Sequence, residues 1–147
     1  MKDSYIGVYG VLGLLLIFLL KISLLDGMFV AAVPFVLLAG HSVSRLPPLL
    51  LMLRYDYARN NDSKAVGAVY KPNLQELAVS TVIALLPLAL LPALCVLAII
   101  PVLGVNWYLG RYYYRYIGGY TGDCLGASQQ IAETVFYLSV SALWIFI

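Results

Sequence analysis

Between Leu74 and Gly110 the chain carries one charged side chain, Glu76, and three prolines, Pro87, Pro92 and Pro101. So long an apolar run asks for lipid around it, yet a straight helix over it would be roughly 55 Å long at ~1.5 Å per residue, against roughly 30 Å of bilayer hydrocarbon. Proline removes a backbone donor and clashes with the preceding turn. The run is therefore read as a hairpin of two helices, 74–90 and 93–109, turning near Pro92.

Three further apolar stretches accompany it. Residues 8–25 hold Lys21 close enough to their end for its amine to snorkel to the interface. Residues 29–53 are apolar at both ends and interrupted by His41, Ser42, Ser44, Arg45 and Pro47-Pro48, and residues 131–147 end the chain. With 63% hydrophobic and 11% charged residues and a mean hydropathy of +0.92, a soluble globular domain is excluded. The expectation is an all-α, polytopic integral membrane helical bundle of about five transmembrane helices, formed by residues 1–147 as one domain.

Nine Lys/Arg against seven Asp/Glu leave a net charge of +2, which gives no reason to expect a nucleic acid partner. Position matters more than sum. With that many crossings, Lys2, Arg54, Arg59, Lys64, Lys71, Arg111 and Arg115 share one side, and the other keeps Asp26 and the snorkelling Lys21. The positive-inside rule puts the basic loops in the cytoplasm of a multi-pass protein of the cell membrane, against membrane lipid, and the C-terminus outside. Cys95 and Cys124 suit neither a disulfide framework nor a metal site. The opening residues carry no cleavable signal pattern.

Several residues can carry chemistry. Arg45 within an apolar segment must find a partner or a wet cavity. It can hold an anion such as a phosphate, with His41 one turn earlier on the same face, or it can mark an interfacial stretch where the helix breaks at the prolines. The loop after it offers Arg59 and Lys64 as a phosphate clamp, or as a solvated membrane-surface loop. The last loop joins Arg111 and Arg115, spaced to point the same way, to glycines at 118, 119, 122 and 126 around Asp123. Thr121 and Asp123 can each cap a helix, and Asp123 can hold a divalent cation that bridges a diphosphate. Glu133 is a second carboxylate that must be paired, protonated or metal-bound if buried. No Walker loop, dinucleotide fingerprint or zinc pattern is present.

The stretches Met1-Lys-Asp-Ser-Tyr-Ile-Gly-Val-Tyr-Gly and Gly118-Gly-Tyr-Thr-Gly-Asp-Cys-Leu-Gly-Ala-Ser-Gln-Gln-Ile-Ala-Glu133 resemble the cobalamin synthase family of adenosylcobinamide-GDP ribazoletransferases. Arg45 after a serine, and Tyr57-Ala-Arg59 followed by Gly67, resemble two further family positions. The resemblance implies a membrane enzyme of corrin biosynthesis. Such an enzyme joins adenosylcobinamide-GDP to α-ribazole or α-ribazole 5′-phosphate, releases GMP and requires Mg2+. It implies Asp3 and Asp123 as acidic positions supported by Arg45, Arg59 and Glu133, so that with the loop residues the expected set is Asp123, Arg45 and Arg59 as catalytic residues, Asp3, Asp123 and Glu133 as metal-side carboxylates, and Arg111, Arg115 and Lys64 on the phosphates.

Family members also carry an acidic segment of His-Glu-Asp-Gly-Leu-Ala-Asp type upstream of the Lys-Asp-Ser block. The chain is thus expected to be a C-terminal portion, with little activity alone and its N-terminal part in a longer or separate upstream chain. A CDP-alcohol phosphotransferase is disfavoured by the absence of its Asp-Gly-x-x-Ala-Arg pattern. A small-molecule transporter or non-catalytic membrane subunit would use the broken helices and Arg45, but leaves the glycine-aspartate loop without a purpose.

Overall fold

The computed structural model describes residues 8–58 and 71–146, without the side chain of Tyr9. Its regular structure is helical: α1 Val8–Asp26, α2 Val33–Val43, α3 Leu46–Arg54, α4 Leu74–Leu85, 3-10 segments Leu86–Leu90 and Ala93–Ala98, α5 Ile99–Ile117 and α6 Gly122–Trp144. An isolated parallel bridge joins Tyr57 to Tyr120.

Local chemistry sets the boundaries. Pro47 and Pro48 cannot donate to the carbonyls of Val43 and Ser44, so α2 opens into a turn at Ser44-Arg45 and α3 restarts with proline in its first turn. A capping box starts α4: the Asn73 side chain accepts from the Glu76 amide at 2.9 Å, and the Glu76 carboxylate accepts from the Asn73 amide at 2.8 Å. Pro87 tightens the end of α4 into 3-10 geometry, and the chain leaves helical geometry at Leu91 (φ −107°, ψ 157°) and Pro92 (ψ 143°). Gly118, at φ +71°, closes α5 in the left-handed region that favours glycine.

These breaks overturn the expected number of crossings. Among the described residues two helices are long and apolar enough to cross a membrane, Val33–Arg54 with 22 residues and Ala93–Ile117 with 25, while Leu74–Leu90 is apolar but shorter. The bundle is all-α, but it is not one of about five transmembrane helices. Prolines hold α4 to 12 residues, about 18 Å at ~1.5 Å per residue. The last apolar segment is not a separate helix beginning at residue 131. It is the second half of α6, whose first half carries Asp123, Gln129 and Gln130.

α6 is the hub, packed against α1, α2, α3, α5 and the 3-10 segment Ala93–Ala98. Phe136, Tyr137 and Val140 of α6 meet Val36, Ala39 and Val43 of α2 and Cys95, Ala98 and Val102 of the Ala93–Ile117 helix in one core. Outward faces are apolar too, with Leu14, Leu16 and Phe18 of α1 and Val82 and Ile83 of α4 exposed. Two membrane-length helices and an apolar exterior suit a membrane-associated protein.

Without a water-driven hydrophobic effect between helices, close packing supplies the adhesion, and small residues allow it. Gly40 of α2 is such a point, because a Cβ there would collide with the Tyr137 ring, whereas one at Gly104 meets open space. Gly40→Ala is expected to destabilise by about 1–3 kcal/mol through overpacking, read as a lower thermal midpoint in detergent. Gly104→Ala, inside α5 with room for its methyl, should not lower the midpoint.

Candidate functional site

The Gly118–Asp123 turn is assembled by a backbone clamp. The Tyr120 amide donates to the Asp56 carbonyl at 3.1 Å, and the Ala58 amide donates to the Tyr120 carbonyl at 2.9 Å. Gly119 permits this approach, since a Cβ there would collide with the Asp56 carbonyl. The rings follow the backbone: Tyr57 lies edge-on to Tyr120 at 5.6 Å, and Tyr55 stacks at a tilt on Tyr114 at 5.5 Å. Asp56 turns outward to a 2.6 Å ion pair with Lys71. That hydrogen bond, with the carboxylate charge, holds the exposed Lys71 ammonium above the ordinary lysine range.

Thr121 then caps α6, its hydroxyl oxygen accepting from the Cys124 amide at 3.4 Å. Asp123 sits in the first turn of α6. Its carboxylate is exposed and has no ion-pair partner among the described residues. Ala58 is the last described residue before Arg59. The clamp thus sets Tyr57 and Ala58 of the Tyr57-Ala-Arg59 block against Tyr120, three residues before Asp123. Asp3, Arg59 and Lys64 themselves lie outside the described residues.

Glu133 occupies a different level. Ten residues of continuous helix separate it from Asp123, a rise of about 15 Å at ~1.5 Å per residue. A Mg2+ ion with ligands at roughly 2.0–2.1 Å cannot take both carboxylates, and no group of three or more His, Cys, Asp and Glu that could hold a metal occurs among the described residues. Glu133 is instead a partnered, nearly buried carboxylate. Lys21 of α1 reaches it at 2.7 Å and also donates to Gln130 at 2.9 Å, and the Tyr137 hydroxyl donates to it at 2.8 Å.

His41 and Arg45 complete this cluster. A guanidinium nitrogen of Arg45 lies 3.1 Å from His41 Nε2, and His41 Nδ1 lies 3.8 Å from Glu133. Arginine can only donate, so the contact is a hydrogen bond in the tautomer that leaves Nε2 without a proton. Arg45 is exposed at the break between α2 and α3. It therefore belongs to the Glu133 level and not to the Asp123 turn. Arg111 and Arg115 are also elsewhere. They line an open groove of about 760 Å³ with Arg54, and the Arg111 guanidinium lies 4.8 Å from the Trp107 ring centre.

Lys21, Gln130 and Tyr137 escaped the sequence reading as partners, because an amine near the end of an apolar run reads as a snorkelling one. The available signal was complementarity: an intramembrane lysine and a glutamate in two apolar helices need one another. Lys21→Met would leave Glu133 nearly buried without its ammonium, at an expected cost of about 3–5 kcal/mol. In a double-mutant cycle followed by thermal midpoint, adding Glu133→Gln should recover most of that loss. Simple addition of the two losses would contradict the pairing.

Comparison with known proteins identifies the family. The family model described as cobalamin-5-phosphate synthase matches residues 1–141. A relative named adenosylcobinamide-GDP ribazoletransferase from Shewanella piezotolerans (strain WP3 / JCM 13877) is 36% identical over 98% of this chain and 59% of its own length. Relatives of the same name are 36% identical in Ralstonia nicotianae, over 90% of this chain and 53% of theirs, and 36% identical in Leptospira interrogans, over 98% and 58%. The chain thus spans little more than half the length of these relatives. No solved structure matches it. With the family model covering nearly the whole chain and the glycine-aspartate turn inside the match, the chain belongs to the cobalamin-5-phosphate synthase family.

Proposed function

We propose that this chain forms part of a membrane transferase of the cobalamin pathway, which joins adenosylcobinamide-GDP to α-ribazole or α-ribazole 5′-phosphate and releases GMP. The observation that carries the reading is the clamp between Asp56–Ala58 and Tyr120, which joins the two family-like blocks at the first turn of α6. A helix start with free backbone N–H groups and an exposed carboxylate suits a metal-bound diphosphate.

Mg2+ would take Asp123 from the turn and Asp3 from outside the described residues. One or two carboxylates are the usual protein contribution when the substrate's phosphates and water complete the octahedron. Asp123 would supply one and Asp3 a second. Bound there, the ion would offset charge on the diphosphate and on the departing GMP. A ribose hydroxyl of the ribazole forms a new O–P bond at the phosphoryl group next to the cobinamide linker, the bond from that phosphorus to the GMP oxygen breaks, and the hydroxyl proton leaves to solvent. Arg59 and Lys64, in the segment that follows Ala58, would orient phosphate oxygens. Arg45, at the Glu133 level, would hold a second polar group of so long a substrate, with His41 fixing its guanidinium.

The test uses the chain joined behind the N-terminal part of the Shewanella piezotolerans relative and reconstituted in vesicles. GMP release from adenosylcobinamide-GDP, dependent on both ribazole and Mg2+, is the expected result. Asp123→Asn should lower it by about 10²–10³-fold, the scale of losing one electrostatic stabiliser of a transition state. Release that survives Asp123→Asn removes that residue from the metal. A folded chimera that releases no GMP where the intact relative does overturns the proposed activity.

A further inference from the structure

A second groove lies between α3 and α5, beside the Tyr55–Tyr114 ring pair. Its inner part is a groove of about 440 Å³ lined by Leu50, Leu53, Leu103 and Asn106, with Arg54, Tyr55 and Trp107 at its mouth. The same three residues open into the outer groove of about 760 Å³ that holds Arg111 and Arg115. The helices approach closely here because Gly110 leaves room for the side chains of Leu51 and Tyr55.

Three observations describe its occupant. Arg54, Arg111 and Arg115 are exposed, and none pairs with a carboxylate among the described residues. Arg54 ends the membrane-length helix Val33–Arg54, and Arg111 and Arg115 lie in the last turns of Ala93–Ile117. Cations and aromatic rings therefore sit at one end of both helices with leucines beneath them, the order of headgroup and chain in a phospholipid. Finally, Asn106 is buried and its amide oxygen lacks a hydrogen-bond partner among the described residues. It lies five residues before Arg111, a rise of about 7.5 Å at ~1.5 Å per residue.

We infer that this groove binds one anionic phospholipid, with its phosphate on Arg54, Arg111 and Arg115 and an acyl chain along Leu50, Leu53 and Leu103. Asn106 then lies at the level of the glycerol esters, where an ordered water shared with an ester carbonyl supplies the missing donor. The arginine pair spaced for a substrate phosphate is, on this inference, a lipid phosphate site. The inference does not depend on the proposed transferase activity.

The test places the chain in nanodiscs of equal phosphatidylglycerol and phosphatidylcholine and measures retained lipid by native mass spectrometry. Trp107 and Trp144 are the two tryptophans, so Trp144→Phe makes Trp107 a groove reporter for quenching by brominated lipid. Phosphatidylglycerol should be retained about tenfold over phosphatidylcholine, the scale these interfacial arginines support. Its brominated form should quench Trp107 more strongly, and both preferences should fall toward parity in Arg54→Gln/Arg111→Gln/Arg115→Gln and, in the unaltered chain, at high salt. Parity in the unaltered chain overturns the inference, as does a preference that survives the triple substitution. Displacement of the lipid by millimolar GDP or inorganic phosphate would assign the arginines to a soluble phosphate instead, and would also overturn it.

Discussion

Two backbone hydrogen bonds, from Tyr120 to Asp56 and from Ala58 to Tyr120, connect the parts of this molecule that carry its family-like sequence blocks. They form because Gly119 has no side chain to obstruct the Asp56 carbonyl and because Gly118 can turn the chain at φ +71°. Everything at the site is downstream of that turn. Thr121 caps α6 only if the chain enters from this direction, and Asp123 then occupies the first helical turn, where a carboxylate and unsatisfied N–H groups are adjacent. The Tyr57–Tyr120 and Tyr55–Tyr114 ring pairs shield the clamp, and Lys71 ties it outward to the start of α4 through Asp56.

The rest of the bundle serves to hold α6 in place. Its charged side chain at mid-length, Glu133, is desolvated, so it must be paired, and the pair comes from the first helix through Lys21. Tyr137 contributes twice, filling the space opposite Gly40 and donating its hydroxyl to Glu133. A hydrophobic contact and a polar one thereby fix the same helix in rotation, and one carboxylate holds α1 to α6. His41 and Arg45 extend that network to the exposed break between α2 and α3. The orientation of Arg45 is thus coupled to a charge pair within the bundle.

The readable parts of the sequence were those governed by local rules. Gly118, Gly119 and Thr121 announced a turn and a helix start, and the spacing of four between His41 and Arg45 placed them on one face, where they are hydrogen-bonded. The helical class was also readable from apolar runs. The number of crossings was not, in part because hydropathy counts Leu74–Leu90 and the end of α6 as spans, whereas prolines shorten the first and protein contacts partly bury the second. Long-range pairing was equally hidden: Lys21 and Glu133 lie 112 residues apart, and nothing local to either names the other. Nothing in the sequence marked Asn106, since an unmet hydrogen bond is a property of the packed helix and not of its sequence.

The central claim is that the clamp at Tyr120 builds the site, and amide hydrogen exchange residue by residue tests it most directly. In the unaltered chain the amides of Tyr120 and Ala58 should exchange slowly, and Gly119→Ala should release both while amides near Val140 in the core of α6 stay protected. Fast exchange at Tyr120 and Ala58 in the unaltered chain, or protection there that Gly119→Ala leaves intact, would contradict the account.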